Sequence, residues 1–190
     1  MKTLAAALAL LPTATLAAVV EQSIIVGQAQ MFVKDGQVTS CGLRLSAQSM
    51  SSRPNKQGNT LLIDSSLMMG RSGLVLVKGL GINATAEGLS KGQVERVELS
   101  SFWIKPDDTR ATTPKDGKIL SGDDDVSILY GDKEPFEVYI GFMKAVAQKK
   151  PLSIGFRLAS GGDERILRGT IDLSESEMET FISCNRDLVK

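Results

Sequence analysis

Few of the side chains that commonly do chemistry are present in this chain, and their spacing narrows what they can do. None of the 190 residues is histidine, which removes Ser-His-Asp and Cys-His catalysis, His-ligated metals and a His-based pH switch. Two cysteines, Cys41 and Cys184, stand far apart. In an oxidising compartment such a pair reads as a disulfide, with two free structural thiols or one reactive thiol as the competing readings. Closing a loop of about 140 residues is worth on the order of 5 kcal/mol in the chain-entropy picture. Paired cysteines leave no thiol nucleophile and no thiolate zinc site.

Carboxylates are the remaining candidates. Asp123, Asp124 and Asp125 are adjacent and could offer oxygen ligands to Ca²⁺. They lack the alternating spacing and the glycine of an EF-hand loop, so a solvated turn is the simpler reading. Two carboxylates at the right separation can cleave a glycoside. The candidates here, Glu95 with Glu98 and Glu175 with Glu177 and Glu179, read more simply as surface charge and as acidic residues at the positive end of a helix. Gly70-Arg71-Ser72-Gly73 has the spacing of a turn and not of a nucleophile elbow. Gly79-Leu80-Gly81 sits in a strand pattern without the third glycine of a dinucleotide fingerprint. No catalytic residue and no cofactor is assigned from the sequence.

One aromatic pair points to binding. Phe102 and Trp103 are adjacent, so on a strand they face opposite sides. With one side on the core, the other aromatic is exposed or lies under the segment from Lys105 to Asp125. An exposed Trp is a candidate contact, because Trp is enriched at binding hot spots. A sheet covered on both faces is the alternative.

The elements that must position these residues begin after an export signal. Lys2, the apolar run Leu4 to Leu11, Pro12 and the small residues up to Ala18 follow the order of a cleaved signal peptide over residues 1–18. That run is far short of the about 20 apolar residues of a membrane span, and no later stretch reaches that length. Residues 19–190 are expected to form one domain in the periplasm or outside the cell. Lys and Arg balance Asp and Glu at 22 each, so the electrostatic footprint of a nucleic-acid binder is absent.

Strand signals dominate up to Ile104. Ser23 to Val33 leads through Lys34-Asp35-Gly36-Gln37, a hairpin turn signal, into Val38 to Leu45. Thr60 to Met69 and Leu74 to Ile82 form a second expected hairpin, and Val94 to Ile104 another strand. Lys105 to Asp125 reads as a long surface loop with a short strand near Lys118 to Leu120, followed by a strand from Val126 to Tyr130. Phe136, Tyr139, Ile140, Met143 and Val146 then fall on one face of a helix that Pro135 opens and Pro151 stops. Leu152 to Leu158 and Ile166 to Ile171 make a hairpin around Ser160-Gly161-Gly162-Asp163. Ser174 and Glu177 form a capping box for a last helix, with Leu173 and Met178 as its staple. Met178, Phe181, Ile182 and Leu188 mark its inward side, and Cys184 lies on or beside it. The sum is an α+β fold, mainly an antiparallel sheet or sandwich, with two helices in the C-terminal half.

From Phe136 to Leu188, an apolar helix ending in Ala147-Gln148-Lys149-Lys150-Pro151-Leu152, two strands and a helix opening at Leu173-Ser174 follow in order. This segment resembles the C-terminal part of invasion-associated locus B-like exported bacterial proteins. The resemblance implies an envelope or secreted protein without known catalytic residues. The functional expectation is a non-enzymatic protein that binds another envelope or secreted macromolecule, as an accessory subunit or inhibitor. A carboxylate-based hydrolase of envelope polymers, or a small-ligand or Ca²⁺ binder, is the alternative.

Overall fold

The structure is a computed structural model in which residues 18–49, 60–121 and 126–190 are described. The expected export signal up to residue 17, and Asp123, Asp124 and Asp125, lie outside the described residues. The strands are β1 (Val19–Gln22), β2 (Ile25–Lys34), β3 (Gln37–Ser49), β4 (Thr60–Gly70) and β5 (Val75–Ala84), then, after the short helix α1 (Ala86–Ser90), β6 (Glu95–Val97) and β7 (Leu99–Pro106). β8 (Leu120–Ser121) and β9 (Ile128–Gly131) precede helix α2 (Pro135–Ala147), and β10 (Pro151–Leu158) and β11 (Arg165–Asp172) precede helix α3 (Glu175–Leu188). Asp35 and Gly36 both take positive φ, 52° and 74°, as a two-residue hairpin turn with the twist of its strands requires.

The expected α+β class holds, but the strands form one mixed sheet instead of two packed layers. Its order is β7-β10-β11-β2-β3-β4-β5-β9-β8, with β1 added to β11 and β6 to β5. Most pairs are antiparallel, while β11 runs parallel to both β1 and β2. The stretch expected as one strand from Val94 breaks at Glu98. Its first part pairs with β5 and its second with β10, so one bent run brings the two ends of the sheet round towards each other. Gly79 of β5 lies against the ring of Phe102 on β7, where a Cβ would sit 2.3 Å from its Cγ.

The seam between these ends is closed by side chains. Thr112 Oγ accepts from the Ile104 amide at 2.8 Å, and the Thr112 amide donates to the Ile104 carbonyl at 2.8 Å. Thr112 Oγ also lies 2.6 Å from the Tyr130 hydroxyl, which donates to the Phe102 carbonyl at 3.1 Å. Burial holds the Tyr130 phenol well above its ordinary range. The segment after β7, expected to be a surface loop, is therefore pinned to the core at Thr112. Next to it, the buried carboxylate of Asp132 accepts from the amides of Thr113 (2.7 Å) and Glu134 (2.8 Å) and pairs with Arg110. A fully bonded buried carboxylate of this kind fixes a loop.

Both helices pack on the inner face of the sheet, but the face of α2 differs from the one expected. Val138, Phe142 and Ala145 are buried with Tyr139 and Val146, whereas Phe136 is 63% and Ile140 51% exposed. α2 is apolar over most of its circumference, so the helical spacing fits more than one face. The choice is made by a neighbour: Gly141 packs on Thr109, where a Cβ would meet the methyl carbon at 2.1 Å. On α3, Ser174 caps the Glu177 amide at 3.3 Å, but the Glu177 carboxylate does not return to the cap. It accepts instead from the Ala29 amide of β2 at 2.6 Å, which covers part of an open strand edge. Ile182, expected to face inward, is 54% exposed, while Phe181 and Leu188 are buried. Cys41 and Cys184 form the expected disulfide, with their Cα atoms 5.8 Å apart. It fastens α3 to β3, and the Tyr139 hydroxyl donates to Asn185 Oδ1 (2.7 Å) and the Cys41 carbonyl (3.1 Å) beside it.

Candidate functional site

The aromatic pair singled out in the sequence is split by the sheet. Phe102 is 3% exposed and belongs to the core, so of the two binding candidates only Trp103 reaches the outer face. There its indole lies over Gly155 of β10, where a Cβ would come within 2.0 Å of the ring. Its Nε1 donates to Glu164 Oε1 at 2.9 Å. A glycine overlaid by an aromatic from the next strand is a packing device of β-sheets. The segment after β7 turns inward to Thr112. The acidic candidates are not gathered either. Glu95 and Glu98 belong to the β6–β7 run, and Glu175, Glu177 and Glu179 to α3, where Glu177 already holds Ala29.

The outer face of β2, β3, β4, β5 and β9 presents a different arrangement. Strand pairing sets its side chains in cross-strand rows. Gln30, Gly42, Met68 and Leu76 form one row. Gln28, Arg44, Ser66, Lys78 and Leu129 form the next. Between and beside these rows runs a groove in two parts that share Gln30, Ser66 and Lys78. The first part, about 590 Å³, is lined by Phe32, Met68, Leu74, Leu76 and Leu129. The second, about 400 Å³, reaches Arg44, Asp64, Ile82 and Arg96.

The groove is open because β4 and β5 carry apolar residues in both phases of their alternation. Leu61, Ile63, Leu67, Val75 and Val77 fill the core, which leaves Leu62, Met68, Leu76 and Ile82 on the other side. Such a strand reads as buried on both faces, yet here nothing among the described residues covers the second one. Phe32, Leu74 and Leu76 are exposed by 55%, 41% and 42%. Gly42 lies beneath: a Cβ there would sit 2.1 Å from the Leu67 carbonyl oxygen, so β3 and β4 approach too closely for any side chain.

Charge is distributed unevenly along the groove. Arg44 pairs with both oxygens of Asp64 at 2.8 Å, and the hydrogen bond and charge of Asp64 hold its guanidinium above the ordinary range. Lys78 is half-buried at the junction of the two parts. It makes no hydrogen bond or ion pair among the described residues, and neither do the side chains of Gln30, Ser40 and Ser66. An ammonium without a carboxylate, beside apolar side chains and spare hydroxyls, is equipped to receive a ligand that is apolar in one part and anionic in another. Sequence reading missed Lys78 and its neighbours. The available signal was the unbroken apolar run Leu74-Val75-Leu76-Val77 ending on a lysine, since alternation with one wet face would have placed a polar residue at 76.

Among the described residues no group of three or more Cys, Asp or Glu is placed to hold a metal ion, and no helix is long and apolar enough to cross a membrane. No family model, curated protein or solved structure matches the chain.

Proposed function

We propose that this chain is an exported binding protein that takes a segment of another envelope or secreted macromolecule into the groove across β2 to β5 and β9, without making or breaking a covalent bond. The observation that carries the reading is the apolar lining of Phe32, Met68, Leu74, Leu76 and Leu129 beside Lys78, which no described residue pairs with. Contiguous exposed apolar surface rimmed by polar groups marks an interaction site in a folded protein. The buried disulfide fits an oxidising compartment, and the resemblance of the C-terminal segment to locus B-like exported proteins points to the same setting.

The test is a photo-crosslinking amino acid placed in the groove at position 76, with a second protein carrying it at position 157, on the outer face of β10 and away from the groove. Each is expressed in the native host and irradiated in intact cells. A single crosslinked species formed from position 76 and not from 157 supports the reading. Equal crosslinking from both positions, or none from 76, overturns it.

A further inference from the structure

The geometry of the groove specifies its ligand further. Residues two apart on a strand lie about 6.8 Å apart on one face, the repeat of any extended chain. The Met68–Leu76 row and the Ser66–Lys78 row are two residues apart on both β4 and β5. An extended segment running along these strands therefore sets one side chain over Met68 and Leu76, and the side chain two positions away over Ser66 and Lys78. The first place is apolar; the second holds a cation without a partner among the described residues. Along the groove, Gln30, Ser40 and Ser66 carry side-chain donors and acceptors that no described residue uses, and the amides of an extended backbone are their natural complements.

Resting on the binding reading above, we infer that the groove takes an extended peptide segment with an acidic side chain two positions from a large apolar one, its carboxylate on Lys78. A free acyl chain fits less well. Pockets for small apolar ligands enclose most of the ligand's surface, whereas this groove lies on the outside of a sheet and faces only one side of whatever it holds. A peptide belonging to a larger partner has its other side covered by that partner, and its backbone uses the polar groups that an acyl chain would leave bare.

The experiment is selection of random octapeptides displayed on phage by the immobilised oxidised protein, run in parallel with Lys78→Met and Lys78→Glu. Lys78 has no partner among the described residues, so both variants are expected to keep the wild-type melting curve. With wild type, enriched peptides carry Asp or Glu two positions from Leu, Ile, Phe or Met. A synthetic peptide of that sequence binds Lys78→Met about fivefold more weakly, the worth of one half-buried charge pair at about 1 kcal/mol. Lys78→Glu enriches Lys or Arg at the same position. No enrichment, or the same enrichment for wild type and Lys78→Glu, overturns the inference. Dodecanoate is the control ligand, and its saturable binding in the groove with no peptide enriched assigns the site to acyl chains and likewise overturns it. A crosslink from position 76 without the acidic preference leaves the binding reading standing and removes only the peptide assignment.

Discussion

Two stretches of the outer face are built alike and finished differently. On one wall Trp103, Gly155, Ile166 and Val20 form a cross-strand row over β7, β10, β11 and β1. On the other, Gln30, Gly42, Met68 and Leu76 do so over β2 to β5. Each row has a glycine overlain by a large neighbour. On the first wall the neighbour is pinned, since the indole N–H of Trp103 is bonded to Glu164, and Arg168 nearby is paired with Asp107 at 2.6 Å. On the second the neighbour is a methionine, which adapts its shape, and the cation beside it has no partner among the described residues. A large aromatic on the outer face is thus a poor guide to a site when its ring and its polar atom are both in use. Unused polar groups beside apolar surface are a better one.

No described residue covers the open wall on its outer side, so its rigidity must come from within, where the disulfide fastens α3 to β3. Cys184→Ser should give the largest effect, a loss of about 3–5 kcal/mol, read from the thermal midpoint of the purified protein. Hydrogen exchange should rise mainly in β2 and β3 and little in β7 and β10. Equal acceleration in both walls would remove the distinction between them.

The two glycines allow a sharper comparison. Gly155→Ala brings a methyl onto the Trp103 ring, at a cost of about 1–3 kcal/mol. Because the obstacle is a side chain, Trp103→Ala should relieve most of that cost in a double-mutant cycle. Gly42→Ala meets the Leu67 carbonyl at 2.1 Å as well as the Met68 side chain at 2.8 Å. A backbone atom cannot be cut away, so Met68→Ala should rescue little. Full rescue at Gly42 would mean that the β3–β4 approach is softer than the structure has it.

The features legible in the sequence were those decided locally or by simple pairing. Asp35-Gly36 declares its turn through the φ values it tolerates, Ser174 its cap through a hydroxyl three residues before the amide it serves, and two cysteines have one way to pair. The rest depends on residues distant in sequence. Which face of α2 turns inward is set by Thr109 against Gly141, and the closing of the sheet by Thr112 and Tyr130, each meeting β7 from a different element. Trp103 was visible as an aromatic, but its use depends on Gly155 and Glu164, more than fifty residues on. Lys78 was visible as a lysine, and only the fold shows that no described carboxylate pairs with it.

Smaller effects should separate the walls by kind. Glu164→Gln weakens the hydrogen bond to the indole by removing the charge on the acceptor. It should cost about 1 kcal/mol and shift the fluorescence of Trp103, the only tryptophan. Lys78→Met removes a side chain that bonds to nothing described, so stability should stay within about 0.5 kcal/mol of wild type while ligand binding falls. The two substitutions act on half-buried polar groups, one just before β11 and one on β5 of the same sheet, yet only the first should move the melting curve. A loss of 2 kcal/mol or more from Lys78→Met would show that the ammonium supports the fold, and the open wall would then be as fully engaged as the closed one.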